Sequence, residues 1–325
     1  MTAFSTEVQM NGKNLKIQRS QRFLTMGSCF SDHLGKYLQV HKFDVRVNPL
    51  GIVYNPYSLS QLINQIADPS IKIGDEMLVH NDGLWHSWLH HGQFSRENKD
   101  DLLLNLEGAM KETNLYFHDL DYLIITLGSA HAYRHRKTGM VVSNCHKVPA
   151  GQFEKVLQDS SDIMAWLREG LKNLRSLNPK LQVILTVSPV RYIRDGLIEN
   201  NLSKAQLITA VHNLTRQLDF CTYFPAYEII IDELRDYRFY NTDMVHPSQQ
   251  AIDYVLSKFT DYHFLEDAKE QVRVIGDLQR SINHRPHHPQ SAAHRQFRQQ
   301  LKRKIFELVK EYPELNFDEE LLILS

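Results

Sequence analysis

Short segments that are apolar throughout alternate along this chain with longer amphipathic segments, and this alternation constrains the fold most. Strands that are apolar on both faces occur in parallel sheets covered by helices on both sides. The pattern therefore predicts an α/β fold with a mostly parallel central sheet. The predicted strands lie at residues 23–26, 45–47, 122–127 and 183–187, and the predicted helices at 31–39, 58–67, 101–114, 153–177 and 203–218.

Four residues suited to tight turns or to chemistry follow directly after predicted strands. They are Ser28, Gly51, Gly128 and Ser188. In open parallel sheets a ligand binds outside the carboxyl ends of the strands, and those ends meet at one edge. We therefore expect these four positions to share one rim of the molecule.

Two regions depart from the alternation. Residues 71–98 contain short β-type runs around Asn81-Asp82-Gly83, a typical hairpin turn, and predict a β-hairpin insertion. Near the end of the chain, residues 283–289 read as a polar linker and 291–310 as a basic helix. We expect a domain over 1–264, followed over 265–325 by the linker and a C-terminal helical extension. The extension would pack on the domain or on a second subunit, which allows a homodimer.

The charge balance, the apolar segments and the cysteines bear on which partners and which compartment to expect. Lys and Arg number 37 against 38 Asp and Glu, for a net charge of −1. Charge thus gives no reason to expect nucleic acid or an anionic membrane as partner. No run reaches the roughly 18 apolar residues of a membrane span, and no secretory signal is recognised. Cys29, Cys145 and Cys221 are an odd number at unrelated spacings, which predicts reduced thiols and a cytoplasmic protein.

Ser28 is the first candidate for chemistry. It follows Gly27 in a predicted tight turn between a strand and a helix, where a serine can expose Oγ. Its own N–H would lie at the helix N-terminus, which favours a developing oxyanion. The plain alternative is that Ser28 only caps the helix. The turn alone does not decide between a nucleophile and a cap.

A candidate base for Ser28 lies after the last predicted strand–helix unit, at Asp243 and His246. Residues three apart can share one face of a turn, so the carboxylate can accept a hydrogen bond from the imidazole and fix its tautomer. Pro247 then suits the first turn of a helix that runs to residue 258. In a chain with 17 histidines such a pair also arises by chance. Its expected place on the same rim as Ser28 is what favours a catalytic reading.

Several blocks in order resemble the bacterial GSCFA-domain family, within the SGNH/GDSL hydrolase superfamily. Residues 27–31 read Gly-Ser-Cys-Phe-Ser, with Ser31 where the family motif has Ala. The resemblance covers roughly residues 20–260. The other matching blocks are 144–147 (Asn-Cys-His-Lys), 186–191 (Thr-Val-Ser-Pro-Val-Arg), 235–240 (Arg-Asp-Tyr-Arg-Phe-Tyr) and 243–247 (Asp-Met-Val-His-Pro).

This resemblance implies a three-layer α/β/α, flavodoxin-like fold with strand order 2-1-3-4-5. It also implies a catalytic triad of Ser28, His246 and Asp243 that works without a metal or other cofactor. Two oxyanion donors follow from it by position, the N–H of Ser28 and the N–H of Gly51. The third donor of the superfamily is an Asn side chain.

The Asn position is where this chain departs from the superfamily, because Ala130 occupies it. His131 or Asn144 would fill the gap, or the oxyanion hole keeps two donors. Losing one donor typically costs about 10²–10³ in rate, so we expect a replacement, and Asn144 slightly before His131.

Candidate substrate-binding residues come from two places. Trp88 and His90, in the hairpin insertion, would line an acyl or sugar pocket or else form the core of the insertion. Ser188 and Arg191 follow a predicted strand end, where Arg191 would bind a charged substrate group or form a structural ion pair.

Taken together, the residues predict a serine esterase acting on a small-molecule or carbohydrate ester, with O-acetyl carbohydrate esters favoured. A catalytically silent binding module of the same fold and an acyltransferase with the same triad are the alternatives. Cys29 is expected to point into the core rather than to act as nucleophile. The histidines at 284, 287, 288 and 294 lack a carboxylate or cysteine partner, so no metal site is predicted.

Overall fold

The computed structural model describes residues 5–10, 12–284 and 286–325. Arg285, within the predicted linker, lies outside the described residues. A π-helical segment, Ile229–Leu234, directly follows the short helix Ala226–Glu228. Along the chain the elements are β1 (Arg22–Gly27), α1 (Cys29–Val40), β2 (Asp44–Val47), α2 (Pro56–Ala67), β3 (Leu78–Asn81), β4 (Leu84–Ser87), α3 (Lys99–Phe117), β5 (Tyr122–Leu127), β6 (His131–His135), β7 (Val141–Val142), β8 (Phe153–Leu157), α4 (Ser160–Leu177), β9 (Gln182–Val187), α5 (Leu197–Gln217), β10 (Cys221–Phe224), α6 (Ala226–Glu228), α7 (Gln249–His263), α8 (Glu266–Asn283), α9 (Ala292–Glu311) and α10 (Asp318–Ile323).

The central sheet contains five parallel strands in the order β2, β1, β5, β9, β10. Numbered among themselves along the chain, these strands run 2-1-3-4-5. The predicted α/β fold with a parallel, flavodoxin-like sheet is therefore confirmed. The sequence does not predict β10, because its four residues form too short an apolar run to be recognised as a strand.

Different helices cover the two faces of the sheet, because side chains alternate along each strand. In β1, Phe23 belongs to the buried cluster that includes α1 and α7, while Leu24 belongs to the cluster that includes α2, α4 and α5. In β5, Ile124 and Ile125 repeat this division, and all four side chains are at most 1% exposed. Full burial of such a side chain contributes roughly 1.5–3 kcal/mol. The packed layers thus fix the sheet whose carboxyl edge carries the candidate residues.

The predicted hairpin insertion is present. β3 and β4 pair antiparallel, and Asp82 and Gly83 between them take φ values of 53° and 75°. Positive φ at both central residues is what a two-residue turn of type I′ requires.

A second insertion, which the sequence does not predict, is the antiparallel sheet β7-β6-β8. Residues 153–177 are predicted as one helix, but 153–157 form β8 and α4 begins only at Ser160. β8 pairs along the whole of β6, and the Phe153 ring packs edge-on against Trp88 at 5.8 Å. This pairing and burial outweigh the helical periodicity of the segment.

The start of α5 also differs from the prediction. The helix begins at Leu197 rather than at the predicted residue 203, so Ser203 lies inside it. The hydroxyl of Ser203 instead accepts a hydrogen bond from the Ala130 N–H at 2.7 Å. A buried serine thus satisfies a loop N–H at the end of β5.

The C-terminal helices form a core of their own and also pack on the domain. Ile275 of α8 and Leu301 of α9 are buried in this core, and α9 overlaps the helix predicted at 291–310. Lys42 Nζ lies 2.6 Å from Glu320, which joins the C-terminal end of the chain to the region between α1 and β2. The homodimer stays a prediction. Within the described ranges, no helix has the length and apolar character needed to cross a bilayer.

Three buried histidines make the fold sensitive to acid. His263 closes α7 against Phe259 and Phe224, and neither of its ring nitrogens finds a partner in the described part of the chain. Burial lowers the pKa of His263 to about 3. Burial likewise lowers the pKa of His90 and of His146 to about 4. These rings stay neutral in the native chain while the unfolded chain protonates them below about pH 6.5.

Because the unfolded state then binds more protons, the free energy of unfolding falls as the pH drops from about 6.5 to 4. The slope is up to about 1.4 kcal/mol per pH unit for each histidine. We expect His263→Leu to flatten this fall by about one histidine's slope, as measured by urea unfolding over that range. The exposed His284 supplies the matched control, His284→Leu. Equal slopes in the wild type and both variants would contradict the prediction.

Candidate active site

Ser28 lies at the junction of β1 and α1. It is the N-cap of α1, and its Oγ accepts a hydrogen bond from the Phe30 N–H at 3.4 Å. Gly27 has a φ of +130°, and a Cβ there would lie 2.2 Å from the Thr126 carbonyl oxygen. Only glycine permits this approach. Ser28 therefore lies in close contact with β5, at the carboxyl edge of the sheet.

Asn48, in the loop after β2, holds this junction in place. Its Oδ1 accepts a hydrogen bond from the Gly27 N–H at 2.9 Å, and its Nδ2 donates to Asp32 at 2.6 Å. The Val53 N–H donates to the Gly27 carbonyl at 3.1 Å. The loop after β2 and the Ser28 turn thus form one hydrogen-bonded unit.

Asp243 and His246 pair within a single turn before α7. His246 Nδ1 lies 2.7 Å from Asp243 Oδ2, while Asp243 Oδ1 accepts the N–H groups of Val245 at 2.9 Å and His246 at 3.0 Å. The hydrogen bond with the His246 ring, helped by these two N–H groups, lowers the pKa of Asp243 to about 2. An ionised carboxylate at Nδ1 requires the proton on Nδ1. Nε2 is then left with a free lone pair.

Arg191 joins this turn to the end of β9. Its N–H donates to the Val245 carbonyl at 3.0 Å, and its guanidinium lies over the rings of Tyr240 at 5.1 Å and Tyr237 at 5.5 Å. The His246 side chain is still 46% exposed, so these backbone and ring contacts, rather than burial, hold the turn.

A cavity of about 200 Å³ opens at Ser28, and we call it the Ser28 cavity. It brings together four of the predicted site residues: Ser28, His246, Ser188 and Arg191. Ser188 is fully buried, and its Oγ accepts a hydrogen bond from the Val190 N–H at 3.3 Å. The lining residues are Ser28, Cys29, Tyr54, Ser188, Val190, Arg191, Tyr192, Val245 and His246.

Trp88 and His90 do not line the Ser28 cavity, and their surroundings favour the second of the two roles left open by the sequence, core of the insertion. Trp88 is 5% exposed and packs with Val142 and Phe153 between the two insertions. His90 is 1% exposed, and its Nδ1 lies 2.9 Å from Ser87 Oγ. Both rings therefore serve as core of the insertions.

Both predicted backbone donors of the oxyanion hole are already engaged. The Ser28 N–H donates to the Thr126 carbonyl at 3.0 Å, because Ser28 extends the hydrogen bonding between β1 and β5. The Gly51 N–H donates to the Asn48 carbonyl at 2.8 Å, closing a tight turn. In this structure neither group is free to meet an oxyanion, which corrects the prediction.

Neither Ala130 nor His131 offers a side-chain donor to Ser28. Ala130 is fully buried, and its N–H is taken by Ser203. His131 begins β6, outside the Ser28 cavity, with its Nε2 3.4 Å from Glu199. Burial, together with the Lys155 ammonium, lowers the pKa of His131. The predicted role of His131 in the oxyanion hole is therefore not supported.

Asn144 lies beside a second, larger cavity of about 560 Å³, which we call the Asn144 cavity. Its Oδ1 accepts a hydrogen bond from the His146 N–H at 2.9 Å, which leaves the amide NH₂ as its remaining polar group. This cavity shares Cys29, Tyr54 and Tyr192 with the Ser28 cavity. It is lined by Cys29, Ile52, Tyr54, His91, Tyr133, Ser143, Asn144, Cys145, Lys147, Val148, Ala150, Phe153, Tyr192 and Arg194.

Sequence reasoning missed Lys204 of α5, which is only 2% exposed. Its Nζ donates to the carbonyls of Gly128 and Ser188, each at 2.7 Å, and so ties the ends of β5 and β9 together. Burial lowers the pKa of Lys204 to about 7. A Cβ on Gly128 would lie 3.1 Å from Ser28 Cβ. Gly128, whose carbonyl Lys204 binds, is therefore in direct contact with the candidate nucleophile. A single lysine in an amphipathic helix is expected to be exposed to solvent. No feature of the neighbouring sequence indicates that Lys204 is buried.

Comparison with protein families identifies the chain. The model of the GSCFA family matches residues 22–259. The chain belongs to the GSCFA family. A second model, described as the GSCFA domain protein, C-terminal domain, matches residues 275–325. A comparison with curated proteins found no significant match.

Solved structures similar to this GSCFA protein are distant. A GDSL-like lipase from Bacteroides thetaiotaomicron has 10% identity and a TM-score of 0.39 over 76% of this chain and 89% of its own. An acetyl xylan esterase from Butyrivibrio proteoclasticus has 10% identity and a TM-score of 0.38 over 76% and 64%. A carbohydrate esterase family 3 protein from Talaromyces cellulolyticus has 10% identity and a TM-score of 0.36, over 79% of this chain and 99% of its own. Similarities at this level establish neither activity nor substrate.

Cys29 of this GSCFA protein is exposed and lines both cavities, so the prediction that it points into the core is wrong. As the first residue of α1 it lies beside Ser28 and faces the opening. Partial desolvation of the thiol and the nearby Asp32 raise the pKa of Cys29, which keeps the thiol protonated at neutral pH. Across the described residues, no group of three His, Cys, Asp or Glu side chains is arranged to hold a metal.

We expect iodoacetamide to alkylate Cys29 well before Cys221, with a rate that rises with pH as the thiolate forms. Cys221 is buried, and burial with the nearby Asp219 raises its pKa to about 12. Peptide mass mapping over time measures both rates, with Cys29→Ser as the control for assignment. Alkylation of Cys221 at the rate of Cys29 without denaturant would contradict the described exposure.

Proposed function

We propose that this GSCFA protein is a serine esterase that cleaves acyl esters through an acyl-enzyme, with Ser28 as nucleophile, His246 as base and Asp243 as its partner. One observation carries the proposal. The 2.7 Å contact between Asp243 and His246 Nδ1 leaves Nε2 as a proton acceptor, and His246 lines the same cavity as Ser28.

The chemistry follows from these positions. His246 Nε2 takes the Ser28 proton as Oγ attacks the ester carbonyl, and the carbonyl π electrons move onto oxygen. The tetrahedral intermediate collapses, the bond to the alkoxy oxygen breaks, and His246 protonates the leaving alcohol. Water then attacks the acyl-Ser28 ester in the same way, which releases the acid and restores Ser28. Asp243 stays ionised and stabilises the imidazolium that forms in each half.

The oxyanion needs donors other than the two implied by resemblance. The residue after a nucleophile at a strand-to-helix turn often provides such an N–H, and here that residue is Cys29. Among the described residues the Cys29 N–H has no carbonyl partner, as expected for the first turn of a helix. The partial positive charge at the N-terminus of α1 adds to its effect. We propose Cys29 N–H as the first donor and the amide of Asn144 as the second.

A catalytically silent binding module is the second candidate. The observation that favours it is the loss of the superfamily's donors, since Ala130 replaces the Asn and the N–H groups of Ser28 and Gly51 are engaged. An acyltransferase would use the same triad and differ only in taking an alcohol in place of water.

We expect a fluorophosphonate probe to label native protein at Ser28, and Ser28→Ala to abolish labelling and hydrolysis of p-nitrophenyl acetate. Both reactions require the activated hydroxyl. Labelling is followed by gel fluorescence and peptide mapping. No labelling of the native protein, and hydrolysis no faster than in Ser28→Ala, would support the silent module. Acceleration of acetate transfer by added alcohols would indicate the transferase.

Asp243→Asn tests the base in the same assays. The amide cannot hold the Nδ1 proton as the carboxylate does, so we expect kcat to fall by up to about 10⁴-fold. Asp236→Asn is the matched control, because Asp236 caps the Arg238 N–H in the same long loop and does not line the Ser28 cavity. Equal losses in the two variants would point to a folding effect and contradict the assigned role.

A further inference from the structure

The two cavities have different characters although they share Cys29, Tyr54 and Tyr192. The rings of Tyr54 and Tyr192 lie 5.4 Å apart, at the boundary between them. Beyond Ser28 and His246, the smaller cavity presents mainly aliphatic and aromatic surface, from Val190 and Val245 as well as the two tyrosines. At about 200 Å³ it accommodates a short acyl group.

The Asn144 cavity, at about 560 Å³, is the larger of the two and also the more polar, although Ile52, Val148 and Phe153 contribute apolar wall. Its lining includes donors from Asn144, Tyr133 and Ser143, and two cations, Lys147 and Arg194. Its described lining residues include no Asp or Glu. Such a wall suits a ligand with several oxygen atoms and a net negative charge.

Nearby carboxylates do not neutralise these cations. Asp195 bonds Lys155 at 2.7 Å, on the side of β8, and Arg194 forms no ion pair within the described residues. Lys147 lies 3.7 Å from Asp82, and both side chains are largely exposed. A contact of that kind contributes little, so both cations remain available to a ligand.

The loop that carries Asn144 and Lys147 is built in advance of binding. His146 and Lys147 both have positive φ, 46° and 60°. The Asn81 amide donates to the His146 carbonyl at 2.9 Å, and His146 Nε2 lies 2.8 Å from the Ser87 carbonyl. The hairpin insertion thus holds this loop in an otherwise unfavourable conformation.

We propose that the Asn144 cavity binds the alcohol part of the ester and that this alcohol carries an anionic group, a carboxylate or a phosphate, which Lys147 and Arg194 bind. The inference rests on the proposed esterase function and adds the substrate class: a short acyl ester of an acidic, hydroxyl-bearing alcohol, such as a sugar acid or a sugar phosphate. The acyl group occupies the Ser28 cavity, and Tyr54 and Tyr192 flank the scissile bond.

The test compares three monoacetyl esters, those of glucose, glucuronate and glucose 6-phosphate. We expect KM for at least one anionic ester to be about 10-fold or more below that for the glucose ester, by an amount that shrinks as salt is added. The double variant Lys147→Met, Arg194→Met should raise KM for that ester by about 10- to 100-fold. Its KM for the glucose ester should change much less, because glucose carries no charge for the two cations to bind. The preferred anion identifies carboxylate or phosphate.

Arg136→Met, Lys137→Met is the matched control, since these exposed cations lie in the β6–β7 turn and outside both cavities. It should leave all constants unchanged. A second variant, Lys147→Glu, Arg194→Glu, should have a higher KM for the anionic esters than for the glucose ester, because the new carboxylates repel the anion. Equal KM values for the three esters in wild type, or no change in the double variant, would overturn the inference.

Failure of this inference is distinguishable from failure of the proposed function. If Ser28 is labelled and p-nitrophenyl acetate is cleaved without any preference for anionic esters, the esterase stands and the inference fails. If Ser28 is neither labelled nor active, calorimetry with glucuronate, glucose 6-phosphate and glucose tests the cavity alone. Tighter binding of an anion that the double variant loses supports the anion site, and equal binding in the two proteins rejects it.

Discussion

One buried lysine side chain holds the strand ends beneath the candidate active site in place. Lys204 Nζ donates to the carbonyls at the ends of β5 and β9, where parallel strands finish and their carbonyls have no partner along the sheet. Leaving either carbonyl buried without a donor would cost about 1–3 kcal/mol. The lysine satisfies both and fixes the distance between two strand ends, and Ser28 stands directly above Gly128.

Two neighbouring residues of α5 hold the loop that carries Ala130. In the superfamily that the chain resembles, an Asn side chain at this position serves the oxyanion. Here the loop after β5 is instead bonded to α5. The Ser203 hydroxyl accepts a hydrogen bond from the Ala130 N–H, and Lys204 donates one to the Gly128 carbonyl. The loop after β5 is therefore part of the core. In the proposed active site, the oxyanion donors come instead from α1 and from the loop at 143–148.

The sequence predicts the parts of the site that depend on local spacing. Asp243 and His246 are three residues apart and bond each other within one turn, and Gly27 permits the tight passage from β1 to α1. The strand order follows from the resemblance and from the apolar segments. What could not be predicted depends on contacts distant in the sequence. β8 forms because it pairs with β6, Trp88 is buried by Phe153, and Lys204 is drawn inward by carbonyls at the ends of two other strands.

In the proposed site Ser28, not Cys29, is the nucleophile, and His246 is its base. A crystal structure of the protein after reaction with a phosphonate ester tests this most directly. We expect a phosphorus–Ser28 Oγ bond and a phosphonyl oxygen about 2.7–3.1 Å from the Cys29 N–H. His246 Nε2 should lie within hydrogen-bond distance of the adduct while Nδ1 remains on Asp243. An adduct on the Cys29 sulfur, or His246 turned away from a modified Ser28, would contradict it.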